Sequence, residues 1–146
     1  DVIATAIAGG LTIDDLEELD LCYAPPFSSA NDPVNMAAFV ASNQIEGFSP
    51  IITAADFMNL YKANPNLYII DVRNPIEYQN GNVKGAINIP LHELRSRLNE
   101  IPKEQTIYVH CQVGFRGHLA TRILLQSGIK KVFNVTGGYK SIELFL

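Results

Sequence analysis

Cys111 opens the run Cys111-Gln112-Val113-Gly114-Phe115-Arg116-Gly117, directly behind the apolar stretch Thr106-Ile107-Tyr108-Val109-His110. That order predicts a thiol at the mouth of a buried strand, then a short loop, then a helix from Arg116 to about Gln126. A strand-to-helix loop turns its backbone N–H groups inward, and the helix N-terminus adds a partial positive charge. An electropositive setting of this kind favours the thiolate, the form that attacks electrophilic sulfur or phosphorus. A free cysteine is most often a buried small hydrophobe; the residues flanking Cys111 argue for chemistry instead.

Ligands of open α/β sheets bind beyond the carboxyl ends of the strands, where the connections diverge. Three expected strand ends carry polar residues here: Asp71-Val72-Arg73, Asn88-Ile89-Pro90 and His110-Cys111. Arg73 and Arg116 are therefore expected to converge on the Cys111 mouth together with the amides of 112–116. Two guanidinium groups and a set of N–H donors suit an anionic substrate or a charged sulfur intermediate. Asp71 and Arg73, with Glu77 nearby, fit equally well as a pair that pins the loop, and both readings stay open. His110 and His118 flank Cys111, but Cys-x6-His without a second ligand pair is no zinc spacing, and no metal is expected. His110 reads as a strand-end residue hydrogen-bonded within the fold, His92 as exposed on a helix, and Cys22 as a packing residue.

The elements that must hold these residues alternate along residues 48–146. Ile51-Ile52 is a short strand, and Thr53 caps a helix through Phe57 and Tyr61. Leu67-Tyr68-Ile69-Ile70 is a continuous apolar run of the kind buried in a parallel sheet. Pro75 to Tyr78 forms one helical turn closing near Gly81. Ala86-Ile87-Asn88-Ile89 is a strand, and Pro90 leads into a helix with Leu91, Leu94 and Leu98 on one face. Leu119, Ala120, Ile123 and Leu124 line the helix behind Cys111, which stops at Gly128. Val132-Phe133-Asn134-Val135 is a last strand before the turn Gly137-Gly138. The alternation predicts an α/β domain with a mostly parallel sheet flanked by helices.

Residues 1–47 have a different texture, with small residues in helical patterns. Ala4, Ala6, Ile7 and Ala8 end a helix stopped by Gly9-Gly10. Thr12 caps a short helix with Ile13, Leu16 and Leu19 on its apolar face, and Asp32-Pro33 starts another with Val34, Met36, Ala37, Phe39 and Val40. No strand is expected, and three short helices are too few to close a core. The whole chain has 146 residues and a net charge of −4, with a pI of about 5.3 and a mean hydropathy near zero. This balance argues against a general nucleic-acid or membrane-surface role, and no apolar run approaches the roughly 18 residues of a membrane span. Two cysteines make no disulfide framework and point to the reducing cytosol. The opening Asp1-Val2-Ile3-Ala4 has neither an initiator methionine nor a basic signal region, and reads as a piece of something longer.

Four motifs in order carry a resemblance. Ile70-Asp71-Val72-Arg73-Asn74-Pro75-Ile76-Glu77-Tyr78, Gly81-Asn82-Val83-Lys84-Gly85-Ala86-Ile87-Asn88-Ile89-Pro90, the Cys111 loop, and Val135-Thr136-Gly137-Gly138-Tyr139 together resemble rhodanese, the sulfurtransferase family. The resemblance covers about 48–141. It implies a rhodanese-like parallel sheet, Cys111 as nucleophile and persulfide carrier, and Arg116 as anion stabiliser. The backbone of Gln112, Val113, Gly114 and Phe115 then cradles the substrate, with Arg73 and Asp71 among its contacts. The family often has histidine where this chain has Asn82. Well-known thiosulfate-using members often have arginine where this chain has Gln112, a departure that counts against thiosulfate as the natural substrate.

The earlier segment carries a second resemblance. Leu19-Asp20-Leu21-Cys22-Tyr23-Ala24-Pro25-Pro26-Phe27-Ser28-Ser29-Ala30, followed by Asp32-Pro33-Val34-Asn35-Met36, is similar to the end of the dimerisation domain of flavin-dependent disulfide reductases. The branch containing coenzyme A-disulfide reductase and NADH oxidase matches best, and some of its members carry a rhodanese domain at the C-terminus. This implies a helical tail over 1–47 ahead of a rhodanese-like domain over 48–146. It also implies a homodimeric parent that uses FAD, NAD(P)H and coenzyme A, in which Tyr23 faces the partner subunit's redox site. No Gly-x-Gly-x-x-Gly turn follows a strand in this chain, so no cofactor is expected on these residues themselves.

Three functions compete. A cytosolic sulfurtransferase would pass sulfane sulfur from a small-molecule donor to a thiol. A Cys-x5-Arg phosphatase needs one more loop residue than the four, 112–115, that separate Cys111 from Arg116. An idle docking module would ordinarily have lost the cysteine and the arginine, and both are present.

Overall fold

Alternation within the strands decides where each side chain of the sheet points. In β4 (Ile107–His110), Ile107 and Val109 face one side and Tyr108 and His110 the other, the two-residue period of a strand. The same split runs through β2 (Tyr68–Asp71), where Ile70 joins one apolar cluster and Ile69 the other. Both faces are covered by helices, as a fully parallel sheet requires. The computed structural model describes residues 1–22, 24–27 and 29–146, and these fall into two compact units, Asp1–Phe48 and Ser49–Leu146.

The second unit is a five-stranded sheet in the order β1-β5-β4-β2-β3, with every neighbouring pair parallel. β1 is Ile51–Ile52, β3 Ile87–Asn88 and β5 Val132–Val135. α4 (Ala54–Ala63) packs Phe57 and Met58 on one face, and α6 (Phe115–Gln126) packs Ala120 and Leu124 on the other. Thr53 caps α4 by accepting the Asp56 N–H at 3.1 Å. α5 (Pro75–Gln79) and α7 (Gly138–Ile142) are single turns at the carboxyl ends of the strands. From β2 the chain leaves toward β3, and from β4 toward β5 on the opposite side. The gap between the ends of β2 and β4 is therefore the switch point at which such sheets place their ligands.

One expected element has another form. Pro90 leads into a turn, and the regular helix is a 3-10 segment, Leu94–Glu100, with a break at Arg97. Ser96 bonds back to the Glu93 carbonyl and Arg97 grips both Glu93 and Glu100, so local side-chain bonds compete with an α-helical ladder. Leu94 still faces the core, and Leu98 packs against it.

The first unit holds α1 (Val2–Gly9), α2 (Ile13–Glu18) and α3 (Pro33–Ile45). Gly10 takes the left-handed conformation that closes α1. The expected apolar surface of α3 faces inward only in part: Asn35 and Ala38 are buried and Val34 and Phe39 half-buried, while Met36, Ala37 and Val40 are exposed. Asn35 decides this rotation, because its amide donates to the carbonyls of Leu16 and Leu19 at 3.1 and 3.0 Å. Cys22 is exposed rather than packed, in the irregular stretch after α2 ends at Glu18. Tyr23, expected to face a partner's redox site, lies outside the described residues. Among the described residues, no helix is long and apolar enough to cross a membrane.

Candidate active site

Cys111 follows β4 in the period of Ile107 and Val109, so its side chain enters the apolar cluster under α6 and is only 1% exposed. The chain then turns through Gln112, Val113 and Gly114 into α6. Gly114 has φ +127°, open to glycine at little cost, and this turn aims its N–H at Cys111 Sγ, 3.1 Å away. The Gly114 carbonyl is fixed by the His118 N–H at 2.9 Å and by the Asn134 side-chain amide at 3.2 Å. Val113 and Phe115 are well exposed and form an apolar rim beside the buried sulfur.

A second set of bonds holds the loop from the far side. The N–H groups of Tyr139 and Lys140 reach the carbonyls of Cys111 and Gln112, at 2.7 and 3.1 Å. Gly138 makes this approach possible, since a Cβ there would lie 2.5 Å from the Cys111 carbonyl oxygen. With the carbonyls engaged below, the Gly114 N–H is left to face the sulfur. Sequence reasoning treated Gly137-Gly138 as a turn and missed this role. The close approach of one backbone to another is what the paired glycines signalled.

Arg116 lies one residue into α6, and its guanidinium donates to both oxygens of Glu77 at 2.7 Å on each arm. Those hydrogen bonds hold the Glu77 carboxyl down to about 2, with the Asn74 N–H adding to the effect. Arg116 is held in the charged state first by Glu77 and more weakly by the Cys111 sulfur. Arg116 thus belongs to the mouth of the site, presented by a carboxylate that the sequence marked only as nearby.

Asp71 and Arg73, open on the sequence between substrate contacts and a pair that pins the loop, are buried beneath the loop, at 0% and 2% exposure. Arg73 binds the Asp71 carboxylate at 2.7 Å, the Gly81 carbonyl at 2.7 Å and the Gln112 side-chain oxygen at 3.1 Å. Its guanidinium also stacks over the Tyr139 ring, 4.0 Å from the centroid. With all three guanidinium nitrogens engaged, Arg73 joins the loops after β2 and β4 to α7. Gln112 is drawn into the same network through its side chain. Asn88 completes it by donating to the backbone carbonyls of Asp71 and Arg73, each at 2.9 Å.

His110 is wholly buried on the opposite face of β4, with its ring against Tyr139. Its Nε2 lies 3.7 Å from Asp71, too long for a hydrogen bond, and has no other partner. Burial pushes its pKa down more than Asp71 raises it, so the imidazole is neutral. His118 Nδ1 lies 2.9 Å from the Ser49 hydroxyl, and its pKa is also lowered by burial. His92 is exposed, in the turn before the 3-10 segment. No group of three potential metal ligands occurs among the described residues.

A buried thiol under a loop N–H, with an arginine fork at its edge and both faces of a parallel sheet covered, meets a family model described as a rhodanese-like domain over residues 53–144. The chain belongs to the rhodanese-like family. This rhodanese-like unit is similar to the thiosulfate sulfurtransferase PspE of Escherichia coli K12, 43% identical over 77 residues, covering 51% of this chain and 73% of that one. The uncharacterized protein YqhL of Bacillus subtilis is 40% identical over 72 residues, covering 49% of this chain and 57% of YqhL. Two solved structures are similar over nearly the whole chain. Reduced Bacillus anthracis CoADR-RHD is 49% identical, with a TM-score of 0.89, over 97% of this chain and 25% of that one. An NAD-dependent persulfide reductase from A. fulgidus is 42% identical, with a TM-score of 0.79, over 94% and 24%. The chain therefore spans about a quarter of these two larger proteins.

Proposed function

We propose that the rhodanese-like sulfurtransferase unit carries sulfane sulfur as a persulfide on Cys111 and passes it to a thiol. The observation that carries this reading is the 3.1 Å contact from the Gly114 N–H to Cys111 Sγ, beside the Arg116 fork. An N–H donor fixed at the sulfur stabilises charge there without reorganising. In the loading step the Cys111 thiolate attacks the outer sulfur of a donor R–S–SH. A new S–S bond forms, the donor S–S bond breaks, and RS⁻ leaves with the bonding pair, so Cys111 becomes Cys–S–SH. In the unloading step an acceptor thiolate attacks that outer sulfur, and the Cys111 thiolate is the leaving group. Electrons balance within each step, and no external oxidant is needed. Arg116 steadies the negative charge that moves between the sulfurs.

The acceptor in this reading is a low-molecular-weight thiol such as coenzyme A, or a protein cysteine. The reading of residues 1–47 as the tail of a dimerisation domain places the unit in a larger homodimeric, cytoplasmic reductase that uses FAD and NAD(P)H. Its support is the similarity of nearly all of this chain to about a quarter of CoADR-RHD and of the persulfide reductase, with Tyr23 assigned to the partner subunit's redox site. None of the strand-to-helix turns described here carries the glycine-rich dinucleotide turn.

Mass spectrometry tests the proposal directly. Intact protein treated with cysteine hydropersulfide should gain one sulfur on Cys111 and lose it to added coenzyme A. Cys111→Ser should gain none, while Cys22→Ser should behave as the parent. A sulfur adduct that persists in Cys111→Ser would overturn the assignment.

A further inference from the structure

Both arginines of the site carry a carboxylate of their own. Arg73 is matched by Asp71 in the buried layer, and Arg116 by Glu77 at the mouth. The sulfur therefore sits beside paired charges rather than beside a free cation. Glu77 is bound through both oxygens to the one guanidinium at the loop edge, and its side chain remains about a quarter exposed. Lys140, whose backbone bonds the loop, has an exposed side chain where water screens its charge. The rim beside the sulfur is apolar, with Val113 59% and Phe115 65% exposed.

Resting on the sulfurtransferase reading, we propose that Glu77 is the specificity-determining residue that selects the charge class of the sulfur donor. By cancelling Arg116 it disfavours dianionic donors relative to hydropersulfides, which react as the protonated R–S–SH group. Attack of a thiolate on R–S–SH carries one negative charge through the transition state and expels RS⁻. Attack on thiosulfate brings a thiolate against a dianion, forms Cys–S–S⁻ and expels sulfite. A neutral ion pair does little to offset three negative charges, whereas an unpaired guanidinium attracts them strongly. Glu77 also orients the arginine, so its removal both frees the positive charge and loosens its aim.

The test is the rate of sulfur loading onto Cys111, read by quenched-flow mass spectrometry, with thiosulfate and with cysteine hydropersulfide as donors. In Glu77→Gln the ratio of thiosulfate to hydropersulfide rates should rise about ten-fold, and thiosulfate loading should become sensitive to salt. Glu77→Ala should shift the ratio in the same direction, which covers the case of a Gln variant that does not fold. Glu77→Asp keeps the charge and shortens the arm; its rates should fall for both donors, with the ratio held at the parent value. Glu93→Gln, which removes a remote exposed carboxylate paired with Arg97, is the control and should leave the ratio unmoved. A ratio that shifts equally in the Asp and Gln variants, or in neither neutral variant, overturns the role of Glu77 alone. A parent protein that loads sulfur from neither donor overturns the sulfurtransferase reading and this proposal with it.

Discussion

The guanidinium of Arg116 meets the carboxylate of Glu77 in a two-armed fork, 2.7 Å on each arm, across 39 residues of sequence. The pair spans two strand-end loops: Glu77 comes from the turn of α5 after β2, Arg116 from the first turn of α6 after β4. It thereby fixes the one arginine that stands at the mouth of the Cys111 site.

The fork has a pH signature. The Glu77 carboxyl is lowered from 4.5 to about 2, chiefly by the Arg116 hydrogen bonds. In that window the unfolded chain binds the proton that the folded chain refuses, so stability rises with pH. The contribution is complete above 4.5 and is lost as pH falls through about 2. Unfolding midpoints of the parent and of Glu77→Gln should differ near neutrality and converge at the acid end. A gap that stays constant would show that the pair contributes no linked stability.

The two arginines should separate by readout. Arg73→Ala strands the buried Asp71 carboxylate and should cost about 3–5 kcal/mol in urea denaturation. Arg116→Ala removes a half-exposed pair, with a smaller loss of stability, and should slow sulfur transfer about ten- to a hundred-fold. Equal stability losses for the two variants would contradict the placement of Arg73 beneath the loop.

Gly138→Ala should cripple transfer while leaving the sheet intact. The added Cβ would lie 2.5 Å from the Cys111 carbonyl oxygen and 2.7 Å from the Val113 nitrogen, at a residue with φ +57°. The loop must move away, and a displacement of about 1 Å at a reacting centre costs on the order of a hundred-fold in rate. Circular dichroism of native shape with normal transfer rates would show that the contact is relieved elsewhere.

His110 should titrate below its ordinary 6.5, because burial opposes the charged form. Its ring resonances followed by NMR against pH give the midpoint. The sign for stability follows: as pH falls below 6.5 the unfolded chain takes up a proton that the folded one does not, so stability declines. His118, shifted in the same direction, adds to that slope. A midpoint at or above 6.5 for His110 would mean that Asp71 outweighs burial.

Much of this was legible along the chain, for reasons that are local. The apolar runs Leu67–Ile70 and Thr106–His110, which form the strands Tyr68–Asp71 and Ile107–His110, the caps at Thr12, Asp32 and Thr53, and the glycine after α1 each act through neighbours a few residues away. The 3-10 form of Leu94–Glu100 was not legible, since leucine spacing alone does not register how Ser96 and Arg97 compete for the backbone. The rotation of α3 escaped for a similar reason: Asn35 spends its amide on carbonyls 16 and 19 residues back.

By itself the sequence determined the α/β alternation, the parallel sheet, and the position of Cys111 between a buried strand and a helix, because side-chain period and backbone stops are written in consecutive residues. Only the tertiary structure decided which charged groups serve the thiol. Arg73 and Arg116 read alike on the chain, yet sheet order buries one against Asp71, Gly81 and Gln112 and leaves the other at the mouth with Glu77. The glycine that admits one loop against another, Gly138 beneath Cys111, was likewise set by packing. Pairings across 39 residues depend on which strands become neighbours, and that is a property of the assembled sheet rather than of any stretch of chain.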